Sequence, residues 1–123
     1  MKFYSLNNTA PKVSFDTAVV NGIAPDKGLY FPEEITPLPA SFFEHIENLT
    51  NEEIAFTAIR QFVTEAIPDN VLKDILKEVL DFDFPVIDIT SNIGTLELFH
   101  GPTMAFKDVG ARFMAQCLGY FSR

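Results

Sequence analysis

The sequence predicts an α+β fold in which a helical hairpin is combined with short strands. Three patterns predict it. Apolar residues recur at helical spacing over two stretches, 50–66 and 71–80. Apolar and polar residues alternate over 86–89 and 95–99, as in strands that bury one face. From about Ala105 onward, apolar residues again have helical spacing, but they occupy more than one stripe of the helix.

The N-terminal part is predicted to contain a strand, a short helix and a second strand. Residues 2–6 can form the first strand, and a helix begins within 13–20 with Ser14 as its cap. Turn-forming residues fill 21–28. The second strand covers 29–31 and stops at Pro32.

Two capping boxes predict where the central helices begin. Ser41 is followed by Glu44, and Thr50 by Glu53. In each pair the hydroxyl can accept from a helix N–H while the glutamate reaches back to the cap. The helix after Thr50 runs toward Pro68, which ends it or opens the next one. The second helix, 71–80, has one apolar stripe, so the two helices are predicted to form a hairpin.

The C-terminal part follows a break at Pro85. The two predicted strands, 86–89 and 95–99, are half-buried and joined by a turn at 92–94. The final helix carries a broad apolar face over 106–121, which predicts neighbours on several sides.

The composition narrows the class of protein. Hydrophobic residues make up 47% of 123 residues, which excludes a disordered chain, and the formal net charge is −8. Nucleic acids and anionic membranes bind clustered Lys and Arg, so neither is an expected partner. The sequence shows no signal peptide and no membrane-spanning run, which predicts a cytoplasmic protein. Cys117 is the only cysteine and is expected to be a packed side chain.

Lys107 is the candidate reactive group. It follows Met104, Ala105 and Phe106 at the predicted start of the last helix. Burial among apolar side chains would favour the neutral amine, and so would the partly positive N–H groups of a helix start. A neutral amine can attack a carbonyl carbon. By residue type alone, a solvated surface lysine is the more frequent case.

Residues near Lys107 are weaker candidates. Asp108 is expected mainly to stabilise the helix start through the helix dipole. Thr103 could cap the helix or contact a ligand, and His100 could be a general base or, more often, a hydrogen-bonded packing residue. His45 lies in an acidic helix and is expected to be inert. The sequence contains no metal-ligand spacing and no phosphate-binding glycine motif.

A family resemblance rests on residues 96–108, Leu-Glu-Leu-Phe-His-Gly-Pro-Thr-Met-Ala-Phe-Lys-Asp, continued by Gly-Ala-Arg-Phe-Met at 110–114. This run closely resembles the pyridoxal-phosphate lysine segment of threonine synthases. Residues 2–5, 13–15 with 18–19, and 22–32 resemble the opening of the same family. The resemblance implies a threonine synthase N-terminal domain at 1–85. It also implies that 86–123 begin a fold-type II α/β cofactor domain, which is truncated here.

The resemblance also implies an activity. Threonine synthases convert O-phospho-L-homoserine and water to L-threonine and phosphate. Lys107 would hold pyridoxal 5'-phosphate as a Schiff base and would move protons at the substrate's carbons. His100, Thr103 and Asp108 would lie near the site, without an assigned role.

The resemblance implies further that the chain is an N-terminal fragment. The family's cradle for the cofactor phosphate and its partner for the pyridine nitrogen would lie beyond Arg123, in the remainder of the catalytic domain. We therefore expect the chain alone to be inactive and without the cofactor. Its apolar face at 106–121 could support self-association.

Two other functions stay open at this stage. One is a stand-alone acidic protein-interaction module that docks a partner through the 106–121 face. The other is a related enzyme of the same fold, such as a threonine-synthase-like phospho-lyase. The choice between the two enzymes depends on contacts to the substrate phosphate.

Overall fold

The computed structural model describes residues 1–122 and confirms an α+β architecture of helices and short strands. The elements, in chain order, are β1 (Phe3–Ser5), α1 (Phe15–Asn21), β2 (Tyr30–Pro32), α2 (Ala40–Glu44), a 3-10 turn (Ile46–Asn48), α3 (Asn51–Val63), α4 (Asp69–Val79), β3 (Val86–Thr90), β4 (Ile93–Leu96) and α5 (Asp108–Phe121).

Both predicted N-terminal strands are present, and they pair with each other. β1 and β2 are antiparallel, with Phe3 opposite Pro32 and Ser5 opposite Tyr30. Ser14 occupies the N-cap position of α1, but its side chain makes no capping hydrogen bond. The helix ends at Gly22, whose φ of 69° lies in the left-handed region that favours glycine.

Asp26 fixes the loop that precedes β2. Its carboxylate accepts hydrogen bonds from the Ser5 hydroxyl at 2.6 Å and from the backbone N–H groups of Thr9, Ala10 and Gly28. These donors favour the charged form, and they hold the pKa of Asp26 well below its ordinary value, with the Ser5 hydroxyl as the largest cause. The predicted turn at 21–28 is therefore held by a hydrogen-bond network centred on the Asp26 carboxylate.

The predicted capping box at Ser41 is wrong, whereas the one at Thr50 is confirmed. α2 begins at Ala40 after Pro39, so Ser41 already lies inside the helix and cannot act as its cap. At α3, the Thr50 hydroxyl accepts from the Glu53 N–H at 3.2 Å, and Glu53 Oε2 accepts from the Thr50 N–H at 2.8 Å.

Replacing Thr50 with alanine is expected to lower the free energy of unfolding by about 1 kcal/mol, because it removes an acceptor for a helix N–H that has no other intrahelical partner. Chemical denaturation of both proteins measures the change. Thr57→Ala is the matched control, since that exposed hydroxyl only donates back to the Glu53 carbonyl within α3. An equal loss in both variants would contradict the capping role.

The core of the fold lies between α3 and α4, as the hairpin prediction requires. Pro68 is the N-cap of α4, so it opens the second helix rather than ending the first. The fully buried hydrophobic side chains come from both helices, from the turn between them and from α5, and they are Val63, Ile67, Leu72, Leu76, Val79 and Cys117.

α5 packs against α1 and α4. The rings of Phe121 and Phe15 meet edge to face, with centroids 6.0 Å apart. Arg112 donates to the Glu78 carbonyl near the end of α4 and pairs with Asp81 at 2.9 Å. Cys117 is fully buried, and burial raises the pKa of its thiol to about 11. This confirms a packed cysteine, and it makes α5 part of the same core as α3 and α4.

β3 and β4 form the predicted hairpin, but the predicted half-burial is wrong. Every residue of both strands is exposed. The turn lies at 91–92 rather than 92–94, because Ile93 and Gly94 already pair with β3. The second strand also ends earlier than predicted, at Leu96.

None of the helices in residues 1–122 combines the length and apolar composition that crossing a bilayer requires.

Candidate active site

Lys107 is carried by an irregular connection between β4 and α5. Two tight turns shape it, in which the Met104 N–H donates to the Gly101 carbonyl at 3.0 Å and the Asp108 N–H to the Ala105 carbonyl at 3.1 Å. Met104 has a φ of 56°, in the left-handed region that non-glycine residues seldom adopt. The predicted helix start near Ala105 is therefore three residues too early, since α5 begins at Asp108.

Asp108 organises this connection from inside. Its side chain is buried, and its carboxylate accepts from the Thr103 N–H at 3.0 Å and from the Thr103 hydroxyl. The pKa of Asp108 is lowered from its ordinary value, mainly by the Thr103 hydroxyl and further by backbone N–H groups and the charge of Arg112, against the opposing effect of desolvation. Asp108 lies in the first turn of α5, where a carboxylate stabilises the helix. Its hydrogen bonds to Thr103 also hold residues 101–108 in one conformation.

Gly101 completes the packing around Asp108. It is buried, and a Cβ placed on it would lie 2.4 Å from Asp108 Oδ2 and 2.8 Å from Asp108 Cβ. The motif therefore needs glycine here for lack of space and not for an unusual backbone angle. Thr103 does not cap α5, because Lys107 holds the N-cap position and the Thr103 hydroxyl donates to Asp108.

Of the two alternatives for Lys107, burial and solvation, the structure of residues 1–122 shows the solvated one. Its side chain is exposed, and its Nζ lies 6.0 Å from the centre of the Phe106 ring. Met104 and Phe106 are themselves 78% and 69% exposed, so the apolar neighbours do not enclose the amine. None of the ion pairs formed by residues 1–122 involves Lys107. The amine is accessible and has no acidic partner in the described part of the chain.

His100 is held by a partner that the sequence reasoning missed. Its Nε2 lies 2.6 Å from Glu97 Oε2, and its ring stacks on Phe99 with centroids 4.8 Å apart. His100 is exposed, but its contacts with Glu97 and Phe99 are those of the favoured role, a hydrogen-bonded packing residue. The three-residue spacing between Glu97 and His100 was the available signal. His45 is exposed at the end of α2, with Nδ1 3.1 Å from the Ser41 carbonyl.

The structure brings some of the candidate site residues into contact and keeps others separate. Thr103 and Asp108 are hydrogen-bonded to each other, and Lys107 precedes Asp108 at the helix start. His100 pairs with Glu97 instead. Within residues 1–122 no group of His, Cys, Asp and Glu side chains could hold a metal ion. An accessible amine on a fixed turn suits a ligand that bears a carbonyl group.

Replacing Asp108 with asparagine is expected to lower the free energy of unfolding at neutral pH. The size of this decrease should depend on pH. The folded-state pKa of Asp108 is lowered. The Asp108 carboxylate therefore contributes fully to the free energy of unfolding above its unfolded-state pKa of about 3.9. This contribution is lost as the pH falls through the lower folded-state pKa. The difference in unfolding free energy between the two proteins should stay constant above about pH 5 and shrink below about pH 4. Urea titrations over this range measure it, and a difference that persists or grows in acid would contradict the assignment.

Comparison with known proteins places the chain in a family. A sequence-family model described as the threonine synthase N terminus matches residues 2–80. Threonine synthase of Escherichia coli K12 is 35% identical over 99% of this chain, and that of Serratia marcescens is 38% identical over 96%. The chain spans 28% of the length of each of these two relatives.

Solved structures of threonine synthases match the fold of this chain over nearly its whole length. The crystal structure of Escherichia coli threonine synthase matches with a TM-score of 0.92 at 35% identity, covering 99% of this chain and 28% of that one. The PLP-bound threonine synthase of Brucella melitensis matches with a TM-score of 0.91 at 32% identity, covering 98% of this chain and 27% of that one. The chain therefore belongs to the threonine synthase family and corresponds to its N-terminal part.

Proposed function

We propose that this chain is the N-terminal part of a threonine synthase, a carbon–oxygen lyase acting on phosphates. The full-length enzyme would convert O-phospho-L-homoserine and water to L-threonine and phosphate with pyridoxal 5'-phosphate as cofactor. The single observation that carries the proposal is the accessible amine of Lys107, held at the N-cap of α5 by the turn that Asp108 fixes.

The residues present fit the cofactor at its aldehyde end. An aldehyde needs an amine that is accessible and not engaged by a carboxylate, and Lys107 meets both conditions within residues 1–122. When bound, pyridoxal phosphate serves as a sink for the electrons released at the substrate's carbons.

The residues of this chain would hold the cofactor in position and transfer protons. Lys107 Nζ would bind the cofactor and then take and return protons at the substrate's carbons. Asp108 acts through Thr103 and is therefore a positioning residue, since it sets the turn from which Lys107 extends. His100 and Thr103 lie along the same connection, and their proximity to the substrate is part of the proposal.

The proposed division of the chain is an N-terminal domain at 1–85 and the beginning of the cofactor domain at 86–123. The family match ends at residue 80, close to this boundary, which supports the division. The groups that bind the cofactor's phosphate and pyridine nitrogen would come from the remainder of the catalytic domain. Without them, residues 1–123 would be inactive.

Self-association of the chain alone would use what remains exposed of the 106–121 face. Cys117 is buried against α4, and Phe121 packs against Phe15. Phe106 and Met114, at 69% and 54% exposed, remain available for contact with the remainder of the enzyme or with a second copy.

The test measures phosphate and threonine formed from O-phospho-L-homoserine by the full-length polypeptide and by residues 1–123. The proposal predicts equal amounts of both products from the full-length protein and none from the chain alone. Phosphate with a 2-oxo acid and ammonia in place of threonine would favour the phospho-lyase. Turnover by residues 1–123 would overturn the expected inactivity.

A further inference from the structure

The helix that begins after Lys107 carries two charged residues, Asp108 and Arg112, which lie one helical turn apart. Asp108 binds the connection that precedes α5, since its carboxylate accepts from the Thr103 N–H and hydroxyl. Arg112 binds a different part of the chain, the segment 78–82 at the end of α4. The first two turns of α5 therefore join the Lys107 connection to the end of α4.

Three different groups of segment 78–82 contact the Arg112 guanidinium. It donates to the Glu78 carbonyl, and its Nη2 pairs with Asp81 Oδ1 at 2.9 Å. Its Cζ lies 5.7 Å from the centre of the Phe82 ring. A guanidinium suits this set of partners, because its planar fork can bind two acceptors while its face stacks on an aromatic ring. The contacts fix both the position and the orientation of the group.

The end of α4 explains why a cation is bound at this point. Glu78 lies in the last turn of α4, which ends at Val79, and the carbonyls of a last turn have no intrahelical N–H partner. The negative end of the helix dipole lies at the same place and favours a positive charge. Arg112 thus supplies, from α5, a donor that α4 itself lacks.

The Arg112 contacts define position more than they add stability. Asp81 is 56% exposed, and ion pairs of exposed side chains contribute little to the free energy of unfolding. The buried apolar side chain of α5 is Cys117, in the second half of the helix, whereas Val109 in the first turn is only partly buried. Arg112 therefore adds a contact of defined direction close to the end of α5 that carries Lys107.

We propose that Arg112 is a positioning residue, which fixes Lys107 relative to the N-terminal domain by tying the first turns of α5 to segment 78–82. The α3–α4 hairpin is then the support for the Lys107 connection, because segment 78–82 continues directly from α4. The inference rests on the proposed function for the role of Lys107 and on the proposed domain boundary at residue 85. The contacts themselves lie entirely within residues 1–122.

Hydrogen exchange of the full-length polypeptide without cofactor tests the structural part of the proposal. The Met104 and Asp108 N–H groups are the reporters, since both are hydrogen-bonded in the connection before α5. Arg112→Ala should accelerate their exchange at least tenfold. Asp81→Ala, a surface substitution, should accelerate it in the same direction. The double variant should exchange no faster than Arg112→Ala, because both changes remove the same contact. Unchanged exchange in both single variants, or additive effects, would overturn the proposal.

Arg60 offers a matched control within the chain. Its Nε pairs with Asp69 Oδ1 at 3.0 Å, and its Cζ lies 5.8 Å from the centre of the Phe56 ring. Arg60 therefore has an acidic and an aromatic partner like those of Arg112, but it joins α3 to α4 and lies outside α5. Arg60→Ala should leave exchange at the two reporter amides unchanged. Equal acceleration by Arg60→Ala and Arg112→Ala would overturn the positioning role.

Steady-state kinetics of the full-length enzyme separates positioning from stability. With saturating cofactor, at a temperature where the variants are folded, Arg112→Ala should lower kcat for threonine formation about tenfold or more. The KM for O-phospho-L-homoserine should change less than about twofold, because a misplaced amine affects the chemical step. Arg60→Ala should retain both values. Accelerated exchange with a normal kcat in Arg112→Ala would overturn the positioning role. A wild-type protein that makes no threonine would overturn the proposed function, and exchange would still decide whether Arg112 holds the connection.

Discussion

Replacing Lys107 with alanine in the full-length enzyme is expected to lower threonine formation by about 10³-fold or more. The variant loses the amine that binds the cofactor covalently and also the base that moves protons at the substrate. It should fold normally, because the Lys107 side chain is exposed and makes no ion pair within residues 1–122. Steady-state phosphate release and threonine formation measure the effect.

Lys77→Ala is the matched control for this variant. Lys77 is also an exposed lysine, but it lies on α4 rather than at the start of α5. Its replacement should change turnover by less than about twofold, as is usual for surface substitutions away from a site. Comparable losses in both variants, or near-normal turnover by Lys107→Ala, would contradict the role assigned to Lys107.

Replacing Gly101 with alanine is expected to be the most damaging single-methyl change in the candidate site. The new Cβ would lie 2.4 Å from Asp108 Oδ2, which is closer than side chains tolerate, and Asp108 is itself held by Thr103. Overpacking of this kind costs about 1–3 kcal/mol of stability. The turn that carries Lys107 would shift with Asp108, and misplaced catalytic groups lose activity by about 10²-fold.

Gly119→Ala provides the control, because a Cβ at Gly119 in α5 would meet nothing within 4 Å. An alanine there should stabilise the helix by up to about 1 kcal/mol and leave turnover unchanged. Thermal unfolding and steady-state kinetics of both variants provide the comparison. A Gly101→Ala enzyme with native stability and turnover would show that the packing of Asp108 does not position Lys107.

The local elements were predictable where short-range chemistry decides them. The Thr50 capping box has both of its hydrogen bonds, and the single apolar stripe of α4 is the part of that helix that enters the core. Ser41 shows the limit of the same reasoning. Its hydroxyl and Glu44 fit the box pattern, but Pro39 adopts the extended geometry of a cap, and the helix begins before Ser41.

The tertiary surroundings of the site were less predictable. The apolar neighbours of Lys107 suggested that it could be buried, yet Met104 and Phe106 are themselves 78% and 69% exposed. The link between Gly101 and Asp108 depends on a close approach across seven residues, which no periodicity encodes. The strands at 86–96 alternate correctly but remain exposed, because burial depends on what covers them.

Borohydride reduction of the full-length enzyme with pyridoxal phosphate would identify the lysine that binds the cofactor. Reduction would convert the bond between the cofactor's aldehyde carbon and a lysine Nζ into a stable amine, and peptide mass analysis would locate it. We expect a single modified site, Lys107, and no modification in the Lys107→Ala variant. Stoichiometric modification of any other lysine, with Lys107 unmodified, would contradict it.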